Sequence, residues 1–182
     1  FVTAGGGTES KMKVNRVQRE SFRQLILLLE KAGVSPEQLL AELRLRGVTA
    51  ADTSQAVIAG AEAMVLLEAA AELSGDPCLM IRLGQLLGIA SYGSFGFALM
   101  SCASLRETLQ LLLRYGQVLF RPSWTEYEHE GGLLLRANLT RGTAAQQQLA
   151  AELIFSNLSV VGRTLYGSQV ESAEGVEIQL SY

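Results

Sequence analysis

Apolar residues in the first half of the chain recur every three to four positions, the spacing of helices with one buried face. The pattern predicts a helix over residues 15–32 and a second over 36–46, separated by the turn Gly33-Val34-Ser35. Glycine readily ends a helix, and serine followed by proline starts one, so this turn supports the division. Two further helices are expected over 60–73 and 77–87, the first of them rich in alanine.

A glycine- and aromatic-rich stretch follows, and then the helical spacing returns. Ser104 and Glu107 have the form of a capping box, which predicts that a helix starts there. Beyond this helix, polar and apolar residues alternate over 124–130 and again over 133–139, on either side of two glycines. Alternation on both sides of a glycine turn is typical of a β-hairpin.

The last segments complete the predicted fold. Helical spacing covers residues 144–165, and an alternating strand is expected over 176–182. The element order predicts an α+β fold, in which an N-terminal helical bundle precedes a small antiparallel sheet, formed by the hairpin and the C-terminal strand and packed with the long helix. Because nothing after Tyr182 closes the sheet edge, we expect the domain, residues 15–182, to be truncated at its C-terminus. Residues 1–14 are expected to be a disordered leader or a cloning remnant.

Composition and charge narrow the possible partners. The 182 residues are 48% hydrophobic and carry a net charge of -3, which suits one domain with little attraction for nucleic acid or anionic membranes. No apolar run reaches the roughly eighteen residues of a membrane span. Cys78 and Cys102 are expected to be buried free thiols in a reducing cytoplasm. The basic residues near the N-terminus are expected to form a solvated helix face: Lys11, Lys13, Arg16, Arg19 and Arg23.

Catalytic and phosphate-binding patterns are scarce. His129 is the single histidine and lies between two glutamates at the expected hairpin tip, without a nucleophile nearby. Gly93 and Gly96 have a loop-like spacing, but Phe97 follows where a phosphate-binding loop has lysine. A helix-turn-helix made by the first two helices is disfavoured by Glu37, which would repel DNA phosphates. We therefore expect no catalytic residue, no metal and no cofactor.

Aromatic and arginine side chains gather around the glycine-rich stretch. Taken singly, such aromatics are more often ordinary core residues, and such arginines cover the surface with their stems. Taken as a group, they predict an apolar pocket with one or two cations for a small ligand. Few acidic or amide side chains lie near the aromatic segment, which favours an apolar or anionic ligand over a polyol. The candidate ligand-binding residues are Tyr92, Phe95, Phe97, Arg114, Tyr115, Phe120, Arg121, Trp124 and Arg136.

Three segments carry a family resemblance: SGDPCLMIRLGQLL, YGSFGFALMSCASLRETLQLLLRYGQVL and EYEHEGGLLLRANL. They resemble the N-terminal domain of AraC-type transcription regulators, in the branch with an arabinose-binding-like domain, over residues 17–182. The resemblance implies the effector-sensing and dimerising domain of a bacterial, cytoplasmic regulator that answers to a small metabolite. It also implies that DNA is bound only by a C-terminal pair of helix-turn-helix motifs, which this chain lacks. It does not imply an enzyme.

The long helix over 144–165 presents more apolar surface than one small sheet needs to cover. This surplus predicts a homodimer that forms through the helix. The residues concerned are Leu149, Leu153, Leu158, Val161 and Leu165. A structural dimerisation module without any ligand is the alternative function.

Overall fold

The structure is a computed structural model, and it describes residues 23–48, 61–89, 94–115, 123–129 and 132–167. Seven α-helices and one β-hairpin lie within these ranges. They are α1 (23–31), α2 (Pro36–Leu45), α3 (Ala61–Ser74), α4 (Leu79–Leu86), α5 (Ser94–Met100), α6 (Leu105–Tyr115), β1 (Ser123–His129), β2 (Gly132–Asn138) and α7 (Ala144–Tyr166). The predicted leader over 1–14 and the predicted strand over 176–182 lie outside the described residues.

The helix ends follow from local sequence chemistry. Gly33 ends α1 with a φ of 95°, a conformation that costs glycine little. The Ser35 hydroxyl accepts a hydrogen bond from the Gln38 amide at 3.4 Å, and Pro36 begins α2. Thr143 and Gln146 form a complete capping box at the start of α7. These ends fix which residues of each helix face the core.

The larger of the two apolar cores within the described residues is built around α3. Alanine, leucine and methionine occupy most positions of this helix, so it needs cover on several sides. Leu39 and Leu43 of α2 are fully buried in the same cluster, as is Leu29 of α1. On its other sides α3 packs against α4 and the first half of α7. Burial of each such leucine favours folding by about 1.5–3 kcal/mol.

The closest helix contact is between α4 and α7, at Gly84. A Cβ atom at this position would lie 2.7 Å from Ser156 Cβ, 2.8 Å from the Leu153 carbonyl oxygen and 2.9 Å from the Asn157 nitrogen. Two of these three atoms belong to the α7 backbone, which cannot rotate away as a side chain can. The absence of a side chain at Gly84 therefore lets the two helices pack directly together.

The smaller core lies against the second half of α7. Leu99 of α5 and Val161 of α7 are its fully buried members, and Phe95, Leu111 and Leu158 pack around them in part. With 23 residues, α7 extends along both cores. This helix therefore connects the two packed regions of the described chain.

The predicted α+β fold is wrong. The described residues are mainly helical, and α7 packs on α4 and α3 rather than across a sheet. The two strands pair only with each other within the described residues, antiparallel from Ser123↔Asn138 to His129↔Gly132. Such a hairpin offers too little apolar surface to organise a core. The long helix has more apolar surface than one small sheet needs because other helices, and not a sheet, pack against it.

Both cysteines are free thiols, as predicted, but the prediction that they are buried is wrong. Cys78 is exposed and Cys102 is half-buried. Cys78 lies in the turn before α4, where Pro77 brings the chain to the surface, and Cys102 lies in the turn after α5. Within the described ranges, no helix combines the length and apolar character needed to cross a lipid bilayer.

Candidate functional site

The structure describes only part of the predicted ligand site. Tyr92, Phe120 and Arg121 lie outside the described residues. Arg114 and Tyr115 are the last two residues of α6, and Trp124 is the second residue of β1, but the described structure does not extend to these three side chains. That all nine residues line one pocket therefore stays a prediction.

Phe95 and Phe97 both lie on α5, but their environments differ. Two positions along a helix turn through about 200°, so neighbours at this spacing face nearly opposite sides. Phe95 is half-buried and packs against the smaller core. Phe97 is 70% exposed. The structure does not bring these two rings together, and Phe95 is the one that contacts the apolar interior.

The hairpin places two more of the candidates. Register sets Trp124 opposite Ala137 and Arg136 opposite Thr125, so the two candidates lie on neighbouring rungs of the ladder. Arg136 is exposed.

A surface groove lies where the end of α3 meets the start of α4 and the first half of α7, and the described candidates Phe95, Phe97 and Arg136 do not line it. Its volume is about 310 Å³. Asp76 on its rim accepts a hydrogen bond from the Cys78 amide at 2.9 Å and pairs with Arg82. Glu72, also on the rim, pairs with Arg46. The lining residues are Ala71, Glu72, Gly75, Asp76, Pro77, Leu79, Met80 and Leu149. Because both carboxylates have arginine partners, the groove is chiefly an apolar depression.

A polar cluster around Arg46 was missed by the sequence analysis. The Arg46 guanidinium donates to Glu42 at 2.9 Å and to Glu68 at 3.4 Å, and it also pairs with Glu72. Hydrogen bonds to Glu42 and then Glu72 raise the pKa of Arg46 above its ordinary value, so the group stays charged. Gln146 of α7 donates to Glu68 at 2.8 Å. We call these five residues the Arg46 cluster, and they join α2, α3 and α7.

The sequence did contain a signal for this cluster. Glu42 and Arg46 are four residues apart, as are Glu68 and Glu72, and residues four apart share one face of a helix. What the spacing could not show is that these two faces meet. That depends on how α2 packs on α3.

Two neighbouring polar residues of α7 hold α4 in place. The Ser156 hydroxyl donates to the Ile81 carbonyl at 2.7 Å. Asn157 is only 6% exposed, and its amide donates to the Gly84 carbonyl at 3.4 Å and to the Leu87 carbonyl. Leu87 caps the end of α4, where carbonyls have no partner within the helix. The buried Asn157 amide thus has a structural role, because its donor group is used within the protein rather than offered to a ligand.

A third polar contact joins α6 to the end of α7. The hydroxyls of Thr108 and Tyr166 are hydrogen-bonded at 2.7 Å. Thr108 is 1% exposed, so its hydroxyl is shielded from water. The described residues gather no group of three or more histidine, cysteine, aspartate or glutamate side chains that could hold a metal ion.

Comparison with known proteins identifies the class. Residues 33–179 match the family described as the arabinose-binding domain of AraC transcription regulators, N-terminal. Because the match covers most of the chain, the chain belongs to this family. The resemblance inferred from the three sequence segments is therefore confirmed. The family is one of transcription-regulator domains and is not an enzyme class.

A particular relative is also similar to this chain. It is described as the ornithine utilization regulator of Pseudomonas aeruginosa, and it is 28% identical over 159 residues. The alignment covers 87% of this chain and 46% of the relative. The chain thus spans about half the length of that regulator.

Proposed function

We propose that this chain is the effector-sensing part of an AraC-type transcription regulator in the bacterial cytoplasm. In this proposal the chain binds a small metabolite, and this binding controls a DNA-binding region that lies outside the chain. The family match over residues 33–179 is the observation that carries the proposal. The similarity to a regulator of about twice this length supports the presence of a further region in the whole protein.

We propose further that the metabolite carries a carboxylate. Arg114, Arg121 and Arg136 are close in sequence to the aromatic candidates, and guanidinium groups pair with carboxylates through two parallel hydrogen bonds. A sugar would favour acidic and amide partners, which are few in this segment. The described relative regulates ornithine utilisation, so an amino acid such as L-ornithine is the first compound to test.

Calorimetric titration with L-ornithine and with putrescine tests this proposal. Putrescine keeps the two amines of ornithine but lacks the carboxylate, so we expect binding of ornithine alone. Arg114→Met should weaken binding by roughly tenfold or more, the loss typical of a charged hydrogen-bonding partner. Arg44→Met, an exposed change on α2, is the matched control and should bind as the wild type does.

The outcomes separate the two parts of the proposal. Equal binding of putrescine would remove the carboxylate requirement but leave sensing intact. Failure of a panel of amino acids, organic acids and fatty acids to bind in the same titration would count against sensing itself. Binding that survives changes at Tyr92, Arg114 and Trp124 would show that the predicted residues do not form the site.

Dimerisation through α7 is a separate proposal. The five apolar residues predicted as the dimer seam are occupied within the chain: Leu153 and Val161 are buried, and Leu149, Leu158 and Leu165 pack against the two cores. A dimer would therefore use the outward face of α7, where Gln148 is exposed. Sedimentation measures the oligomeric state directly. A monomer at high concentration would contradict both the proposed dimer and the alternative of a ligand-free dimerisation module.

A further inference from the structure

The α5–α6 pair is attached to α7 differently from α3 and α4. At Gly84 the backbones of α4 and α7 are in close contact, and Ser156 and Asn157 hold three α4-side carbonyls. The Gln146 amide ties α7 to α3 through Glu68 at 2.8 Å. Tight packing with several hydrogen bonds along its length fixes α7 on these helices, and we call the three helices the α3–α4–α7 framework.

The apolar contact that the described side chains of α5 and α6 make with α7 is smaller. Its fully buried apolar members are Leu99 and Val161, and the other apolar residues of this cluster are only partly buried. A small buried core gives a contact that opens at lower free energy than a large one. The α5–α6 pair is therefore the better candidate for movement on the framework.

The hydrogen bond between Thr108 and Tyr166 lies at the far end of this contact. The Thr108 amide donates to the Ser104 carbonyl one turn earlier at 3.0 Å, and this carbonyl is the alternative acceptor that helix geometry offers the Thr108 hydroxyl. Threonine hydroxyls in helices commonly bond to this preceding carbonyl. The hydroxyl can thus exchange one partner for another, so the contact can open without leaving a buried donor unsatisfied.

We infer that the α5–α6 pair moves as a unit on the α3–α4–α7 framework, and that the Thr108–Tyr166 hydrogen bond couples this movement to the last turn of α7. The inference rests on the proposed sensing function. Four of the nine predicted ligand residues lie on α5 and α6: Phe95, Phe97, Arg114 and Tyr115. Tyr166 is the last residue of α7, so a ligand held by α5 and α6 would affect the point where the chain leaves this helix.

Hydrogen exchange measured by mass spectrometry tests the coupling in the chain without any ligand. Thr108→Val removes the hydroxyl and keeps the branched shape. We expect exchange to become roughly fivefold faster over 94–111 and over 162–166, the change given by loss of one ordinary hydrogen bond. Exchange over 61–86 should stay as in the wild type. An increase on α6 alone, with 162–166 unchanged, would overturn the coupling.

Two further variants keep this test decisive. Tyr166→Phe keeps the aromatic ring and removes only the hydroxyl, and it should give the same pattern in milder form. Ser156→Ala removes a hydrogen bond between α7 and α4, and it should leave exchange over 94–111 unchanged. Equal acceleration of all helices by Thr108→Val and Tyr166→Phe would show that the contact is ordinary packing and would overturn the inference.

A ligand experiment separates this inference from the proposed function. Saturating L-ornithine should slow exchange over 94–111 and over 162–166 in the wild type, whereas in Thr108→Val the effect on 162–166 should disappear. Binding with the same slowing in both proteins would overturn the coupling and leave sensing intact. An absence of binding would count against ornithine as the effector, while the exchange pattern of the variants still decides the inference.

Discussion

Among the described side chains, the two halves of α7 belong to apolar clusters of different size. The cluster that includes its first half has eighteen buried apolar residues, whereas the cluster that includes its second half has two. The larger core sets the fold and holds the helices that the sequence predicted most clearly. The smaller core holds α5 and α6, where four of the predicted ligand residues lie. We propose on this basis that stability and ligand sensing depend on different parts of one domain.

Equivalent leucine truncations in the two cores should have unequal effects. Leu67 and Leu99 are both 0% exposed. We expect Leu67→Ala to lower the free energy of unfolding by about 3–5 kcal/mol, because its cavity is closed on every side by packed helices. Leu99→Ala should cost about 2 kcal/mol, since the smaller core can partly collapse. Urea titration followed by circular dichroism measures both values, and equal losses would contradict the distinction between the cores.

Two glycine substitutions should change stability in opposite directions. Gly84→Ala should destabilise the chain by about 1–3 kcal/mol, because the added methyl group meets the α7 backbone. Gly162→Ala, in α7, is the matched control, since a Cβ there has no atom within 4 Å. It should stabilise the helix by about 0.5–1 kcal/mol through better helix propensity. Thermal unfolding of the two variants tests this, and a neutral Gly84→Ala would mean that the helices can separate freely.

Loss of the buried amide of Asn157 should cost more than loss of its neighbour's hydroxyl. Asn157→Ala leaves the Gly84 and Leu87 carbonyls without this donor, and we expect about 1–3 kcal/mol of destabilisation. Ser156→Ala, whose hydrogen bond is exposed, should cost less than about 1 kcal/mol. The same urea titration compares them, and the reverse order would remove the structural role given to Asn157.

The Arg46 cluster should have the smallest effect. Arg46 and its three glutamate partners are partly exposed, and such ion pairs contribute about 1 kcal/mol or less. Arg46→Met leaves three carboxylates facing one another, so its cost should be largest at low salt and should fall as salt is added. Arg141→Met, an exposed change in the turn before α7, serves as the control. A cost that does not depend on salt would indicate that the packing of the arginine stem matters more than its charge.

Local sequence chemistry predicted the local structure well. Ser35 and Pro36 at the start of α2, and the long helix after Thr143, lie where the sequence placed them. The capping residues at Ser104 differ in one detail. The Ser104 hydroxyl accepts from the Glu107 amide at 3.2 Å, but the Glu107 carboxylate accepts from the Ala103 amide, one residue before the predicted one. Such features depend on neighbours within a few residues.

The pattern of apolar and polar residues could not predict which elements pack against one another. Apolar residues on α7 showed that one face is covered, but they did not show whether a sheet or other helices cover it. Gly84 lies in one of the segments that resemble the family, but the need for glycine there comes from α7, which packs against it and is about seventy residues away in sequence. The nine-residue ligand site joined residues that are close in sequence, whereas Phe95 and Phe97 have different environments on α5.

We propose that this family member senses a metabolite through the region of α5, α6 and the hairpin. Nuclear magnetic resonance of the ¹⁵N-labelled chain, titrated with L-ornithine and then with the wider metabolite panel, tests it most directly. We predict that the binding metabolite shifts amide signals of α5, α6 and the hairpin, and leaves those of α2 and α3 in place. Shifts confined to α2 and α3, or none with any compound of the panel, would contradict the account.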